Sequence, residues 1–197
     1  MSHDARVFLR EFLRDPARVA AVAPSGRRLS QVLAGAVPRR GVALELGPGT
    51  GAVTDHIRHR EPRRHLAVEV NPRLARLVAR QWPDVEVVCA DAAELGPVLD
   101  AWGAARVDAV VSSLPWALMP EAQQRTIMTA VQAALTDDGC FTTYAYVHAL
   151  WMPPARRLPR LLRTAFTHVA VSPVVWANVP PAVVYRARAP RRDVRAD

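Results

Sequence analysis

The sequence predicts an α/β fold: a mostly parallel sheet flanked by helices, finished by a C-terminal antiparallel hairpin and preceded by a helical extension. Three observations carry this. From Gly41 onward, short apolar runs alternate with longer stretches of helical periodicity, the rhythm of βαβ units. Near the end two apolar runs follow each other across a short link containing Pro180-Pro181, which fits a hairpin rather than a crossover. A glycine-rich segment, Glu45-Leu46-Gly47-Pro48-Gly49-Thr50-Gly51, falls directly after the first apolar run and before a helical pattern.

The apolar runs place strands at residues 42–46, 65–70, 85–89, 107–112 and 140–146, with the hairpin at 168–176 and 182–188. Helical spacing fills 50–59, 72–81, 93–102 and 121–135. Asn71-Pro72 reads as a cap followed by proline in the first turn, and Asp138-Gly139 as the close of the helix before the fifth strand. The chain divides into an N-terminal extension (1–36), the α/β domain (37–189) and a flexible tail (190–197).

Within the extension, residues 4–14 form an amphipathic helix with Phe8, Leu9, Phe12 and Leu13 on one face and Arg6, Arg10 and Arg14 on another. Asp15-Pro16 ends it and starts a second helix; Ala23-Pro24-Ser25 makes a turn, with Ser25 capping a third helix through about Ala34. Residues 155–166 repeat the amphipathic theme, with Leu158, Leu161, Leu162 and Phe166 opposite Arg156, Arg157, Arg160 and Arg163; Pro159 counts against a helix there. Either stretch serves a membrane interface, or equally an ordinary helix packed on the sheet.

The chain has 197 residues, half of them hydrophobic and 22% charged, which suits a single globular domain that folds without a metal or disulfide. Its net charge is +8, and all 26 basic residues are arginine. That surplus favours a polyanion, either nucleic acid or an anionic membrane surface. Cys89 and Cys140 both fall in expected strands and read as reduced core thiols. No apolar run approaches the roughly 20 residues of a membrane span, and no secretory signal is evident.

The glycine segment lets the backbone bend sharply and approach a ligand closely. It lacks the GxGxxG spacing of a dinucleotide fingerprint, and Glu45 puts a carboxylate where a pyrophosphate would be repelled. That carboxylate suits the cationic end of S-adenosylmethionine (SAM). Glu69 ends the second strand and is expected to accept from the ribose hydroxyls; Asp91 follows the third strand and is expected to accept from the adenine amino group. Gly47, Gly49, Thr50, Gly51, Ala92 and Ser112 complete the expected cofactor-binding set, and no metal is expected. The fold class is then the Rossmann-like sheet of SAM-dependent methyltransferases.

From about Val7 to Arg188 the chain resembles the soluble bacterial phospholipid N-methyltransferases. The motifs are Ala23-Pro24-Ser25-Gly26-Arg27, the glycine segment, Ser112-Ser113-Leu114-Pro115 and Trp176-Ala177-Asn178-Val179-Pro180-Pro181-Ala182. The resemblance implies methylation of the amino head group of phosphatidylethanolamine towards phosphatidylcholine, with S-adenosylhomocysteine as by-product. It implies docking on an anionic membrane through the N-terminal helix, so that Arg6, Phe8, Arg10, Phe12 and Arg14 are membrane-binding, and a cytoplasmic location at the inner face. It puts Tyr144 near the accepting amine, and His148 just beyond is the expected proton acceptor. Ala145-Tyr146 follow Tyr144 where the family carries glycine and proline, and Trp151, Met152, Pro153 and Pro154 suggest an apolar pocket wall.

Ser113 and Trp116 are the expected substrate contacts after the fourth strand. Adenine-N6 methyltransferases carry Asn-Leu-Pro-Tyr there, and the serine of Ser113-Leu114-Pro115-Trp116 cannot replace an amide's paired donor and acceptor. Nucleic acid is therefore disfavoured as substrate. The rival readings are a small-molecule methyltransferase of specialised metabolism, an RNA or DNA methyltransferase, and a SAM-binding protein without catalysis.

Overall fold

The computed structural model describes residues 26–150 and 156–192. The expected membrane helix at residues 4–14, with Arg6, Phe8, Arg10, Phe12 and Arg14, lies outside the described residues, as do Ser25, Trp151, Met152, Pro153 and Pro154.

The described elements run α1 (Arg27–Ala34), β1 (Val42–Leu46), α2 (Ala52–Arg58), β2 (Arg64–Val68), α3 (Pro72–Gln81), β3 (Glu86–Val88), α4 (Leu95–Trp102), β4 (Val107–Ser112), α5 (Glu121–Ala134), β5 (Leu135–Tyr146), α6 (Arg157–Ala165), β6 (Phe166–Val171) and β7 (Ala182–Pro190). Seven strands form one sheet in the order β3-β2-β1-β4-β5-β7-β6. The first five are parallel; β7 is antiparallel to both β5 and β6. This is the α/β class expected, including its terminal hairpin.

Burial on both faces explains why the central strands read as unbroken apolar runs. Along β1, Val42, Leu44 and Leu46 join one core with Leu95 and Leu99 of α4, Ile127 and Val131 of α5, and Leu158 and Leu162 of α6. Ala43 joins the other, with Leu29 and Leu33 of α1 and Val53 and Ile57 of α2. Glu45 shares the face of Ala43, because side chains alternate along a strand. Below α3 a smaller cluster holds Ala67, Val78, Trp82 and Val85.

The cap at α3 is as expected: the Asn71 side chain accepts from Arg73 N and Leu74 N, with Pro72 in the first turn. Pro159 is accommodated because it falls in the first turn of α6, where its missing N–H removes no helical bond. The N-cap of α1 is Gly26.

Other expectations need correction. β5 begins at Leu135, which pairs with Val107 before the ladder shifts to Ala109 and Cys140; Asp138-Gly139 lie inside the strand. Cys89 is exposed, one residue past the short β3, whereas Cys140 is buried and its thiol pKa is pushed up by that burial. β6 stops at Val171, leaving Val175 in a single bridge to Ala182. The strand β7 continues into the segment expected to be tail: Pro190 pairs with Phe166, Arg191 N donates to Ala165 O, and the Arg192 guanidinium bonds Asp137 at 2.9 Å and the Leu135 carbonyl at 2.7 Å.

Candidate active site

The tips of β1, β2, β4 and β5 meet at one edge of the sheet, and the expected site residues collect there. Between β1 and α2 the glycines adopt the left-handed conformation that a side chain resists, φ +59° at Gly49 and +84° at Gly51. The two serve different ends. A Cβ on Gly51 would stand 1.8 Å from the Trp82 ring, so this glycine seats the loop against α3. A Cβ on Gly49 would meet nothing within 4 Å, so there the backbone faces open space. Gly47, with φ +69°, turns the chain out of β1, and Thr50 is buried between the last two glycines.

Glu45 is fully buried, and its Oε2 accepts from His65 Nε2 of β2 at 3.2 Å. Its Oε1 is equally buried and has no hydrogen-bond partner among the described residues. Glu69 follows β2 directly; its Oε2 accepts from Gly49 N at 3.1 Å and its Oε1 from Asn71 N at 2.9 Å. The carboxylate is thus clasped against the glycine loop. Burial pushes the Glu69 pKa above its ordinary 4.5; the N–H groups of Asn71 and Gly49 oppose the shift, and the charge of Glu45 adds to it. Asp91 is partly exposed and accepts from Ala93 N at 2.8 Å, capping a short helical turn that starts at the buried Ala92.

The loop after β4 departs from expectation. Trp116 is no stacking platform: it is 2% exposed, edge-on to Phe141 at 6.0 Å, and its indole N–H donates to Ser112 Oγ at 3.1 Å. An apolar ring beside a buried hydroxyl is more stable folded inward than laid over a substrate. Ser112, expected to touch the cofactor, spends its hydroxyl on that indole and on Leu114 N at 3.3 Å. Ser113 differs: its Oγ is buried and has no partner among the described residues.

Ser113 lies two residues past Val111, and Tyr144 two past its register partner Thr142, so the two positions sit side by side at the strand tips. Tyr144 packs edge-on to Tyr146 at 5.4 Å, and Tyr146 stacks on His148 at 5.7 Å. Burial pushes the Tyr146 pKa up, and a hydrogen bond with Tyr144 partly offsets this. The structure therefore joins Tyr144 to the exposed His148 through Tyr146, which the sequence marked only as a departure from the family pattern.

His65 was also missed. A histidine in an otherwise apolar strand was the available signal, but its partner emerges only from the β1–β2 register. Asn178 was seen only as part of a motif; it is 2% exposed and accepts from Gly26 N. Among the described residues no group of acidic, histidine or cysteine side chains is placed to hold a metal.

These features fit SAM. The glycine loop opens onto free space, a carboxylate oxygen without a donor among the described residues lies buried in the strand that leads into it, and a second carboxylate is held at the next strand tip. Glu45 would take the ammonium, Glu69 the ribose and Asp91 the adenine. When bound, SAM supplies a methyl group on a sulfonium that is already a good leaving group.

Comparison with known proteins agrees. Residues 43–139 match the family model described as a methyltransferase domain. The chain is 29% identical over 192 residues to an ornithine lipid N-methyltransferase of Singulisphaera acidiphila, covering 94% of this chain and 96% of that protein. Among solved structures it is similar to the N-methyltransferase NodS of Bradyrhizobium japonicum in complex with S-adenosylhomocysteine (TM-score 0.67, 17% identity, 96% of this chain and 100% of that one). It is also similar to a TehB-like SAM-dependent methyltransferase of Corynebacterium glutamicum (TM-score 0.63, 16% identity, 93% and 98% covered). Open glycine loop, acidic strand tips and family match converge: the chain is a SAM-dependent methyltransferase of class I fold, its methyltransferase domain matched over residues 43–139.

Proposed function

We propose that the chain methylates the primary amine of an amino-lipid head group at an anionic membrane surface. The observation that carries this reading is the similarity to an ornithine lipid N-methyltransferase, which runs almost end to end rather than over the cofactor half alone. The surface supports it. Among the described residues the five exposed large hydrophobics are Val70, Leu118, Val171, Trp176 and Val179. All five follow or end strands at the edge where the glycine loop opens, since β6 runs parallel to β5. Single exposed apolar residues are unremarkable, but a set gathered on the active edge suits contact with acyl chains.

Charge supports it as well. Arg156, Arg157 and Arg160 of the α6 segment line a groove with Arg125 and Glu121 beside the loop after β4. Glu121 bonds Arg125 at 2.7 Å and lies 4.0 Å from Arg157, whereas no described carboxylate pairs with Arg156 or Arg160. Each arginine near an anionic leaflet contributes about 1 kcal/mol. The helix that the sequence predicts at residues 4–14, with Phe8 and Phe12 beside Arg6, Arg10 and Arg14, would add to this attachment. Among the described residues no helix is long and apolar enough to cross a membrane.

The acceptor amine must be unprotonated and in line with the donor. In this reading Ser113 Oγ and Tyr144 orient the amine, the Tyr144 ring faces the methylated cation, and the proton leaves towards His148. Phosphatidylethanolamine is the acceptor that the sequence motifs favour, and an ornithine lipid the one that the relative's name favours. The buried Trp116 counts against an adenine substrate, because the ring that would stack on the base is enclosed in the core.

The test is incubation with SAM and vesicles holding both lipids, followed by mass spectrometry of every product. Methyl increments on either lipid support the reading and name the head group. Methylation confined to a water-soluble amine or to nucleic acid, with both lipids unchanged, overturns it.

A further inference from the structure

His65 takes no part in the chemistry described so far, yet it is 4% exposed within a strand of otherwise apolar inward residues. A histidine in such a place needs a reason, because burying a ring with two polar nitrogens is unfavourable unless they are bonded. The β1–β2 register supplies it. Ala43 pairs with His65 and Glu45 with Ala67, so Glu45 and His65 are diagonal neighbours on the same sheet face. The 3.2 Å bond between His65 Nε2 and Glu45 Oε2 follows.

The partnering is incomplete in an informative way. Glu45 Oε1 and His65 Nδ1 are both buried without a partner among the described residues. An ionised carboxylate accepts on both oxygens, and a buried one left half-bonded is costly. With Nε2–H donating to Glu45, the neutral ring leaves only a lone pair at Nδ1, which costs less than an unbonded N–H.

We propose that His65 is a positioning residue that fixes one oxygen of Glu45, so that the other is held ready for the ammonium of the cofactor's amino-acid end. This rests on the reading of Glu45 as the acid that takes that ammonium. Without the bond the Glu45 side chain would turn among rotamers, and ordering it would be charged against binding. The effect is confined to ligands that carry the ammonium.

Two ligands separate this role from a merely structural one. S-adenosylhomocysteine carries the amino-acid end, and 5′-methylthioadenosine carries the adenosyl part alone. Kd for both is measured by titration calorimetry in the wild type, Glu45→Gln, His65→Asn and His65→Gln. Glutamine brings an amide donor to about where Nε2 stands, and asparagine falls short. Glu45→Gln and His65→Asn should each weaken S-adenosylhomocysteine about tenfold, as loss of a bond to a charged group does. Binding of 5′-methylthioadenosine should be unchanged within about twofold, and His65→Gln should keep wild-type affinity for both ligands.

Should His65→Asn fail to fold, His65→Phe, which fills the space without a donor, is read in its place. Equal weakening of both ligands in the folded variant overturns the proposal. A Glu45→Gln loss beside an unaffected His65→Asn overturns it alone. An unaffected Glu45→Gln overturns it together with the placement of Glu45 beneath the ammonium.

Discussion

The side-chain oxygen of Asn178 accepts the backbone N–H of Gly26 at 2.8 Å, joining the loop before β7 to the cap of α1 across 152 positions of sequence. The Asn178 amide also donates to the Pro180 carbonyl at 2.6 Å, and the side chain is 2% exposed. Two motifs quoted for the family resemblance are therefore halves of one contact. Asn178→Ala leaves two part-buried backbone groups, the Gly26 N–H and the Pro180 carbonyl, without this partner and should cost about 1–3 kcal/mol in urea unfolding. Gly26→Ala places a Cβ 2.9 Å from the same oxygen. The double variant should cost less than the sum of the two, since both break one contact.

Gly51→Ala sets a methyl against the Trp82 ring, 1.8 Å from its nearest atom, at φ +84°. Overpacking and backbone strain together should destabilise the fold by about 3 kcal/mol or more. Trp82→Val carries its own packing loss, but the double variant should cost less than the sum of the two single changes, since the clash is present only beside the intact ring. Thermal unfolding of the single and double variants reads this directly.

Much of the fold was legible in the sequence because its signals are local. The apolar runs at β1 and β4 and the Asn71-Pro72 cap of α3 announce themselves within a few residues. What escaped depends on partners remote in sequence. Asp138-Gly139 look like the close of a helix, and they fall inside β5 because Leu135 before them and Cys140 after them both pair with β4. Trp116 after a proline looks exposed until Ser112 and Phe141 close round it. The acidic strand tips were legible as a set; the bond between His65 and Glu45 was not, because it needs a register that no single strand carries.

Glu69 gives the site a pH dependence with opposite signs for folding and binding. Its folded pKa is raised above 4.5 by burial, so its contribution to stability is fully present below that value and is lost as pH rises through the raised one. Binding of ribose hydroxyls needs the ionised form. The rise in Tm that S-adenosylhomocysteine produces should therefore grow as pH rises above 4.5 and through the raised pKa. Glu69→Ala should weaken the ligand about tenfold or more and flatten that dependence.

Trp116→Phe keeps the ring against Phe141 and removes the indole N–H from Ser112. It should destabilise the fold by about 1–2 kcal/mol while leaving KM for the lipid acceptor unchanged. A raised KM with unaltered stability would return Trp116 to the acceptor site.

Arg156→Glu/Arg160→Glu reverses two charges that have no described partner. Co-sedimentation with anionic vesicles at low salt should fall about tenfold or more, with S-adenosylhomocysteine affinity intact. Phe8→Ser/Phe12→Ser should reduce vesicle binding in the same assay.

The insertion of β7 between β5 and β6 divides labour along the gene. The acids proposed for the donor, Glu45, Glu69 and Asp91, come from the first half of the chain, whereas Tyr144, Tyr146, His148 and the Trp176 loop belong to what is translated afterwards. A ribosome has therefore emitted all three acids before the final hairpin exists. Exchange of that hairpin between homologous genes should therefore leave use of the donor untouched, since none of these three acids lies within it.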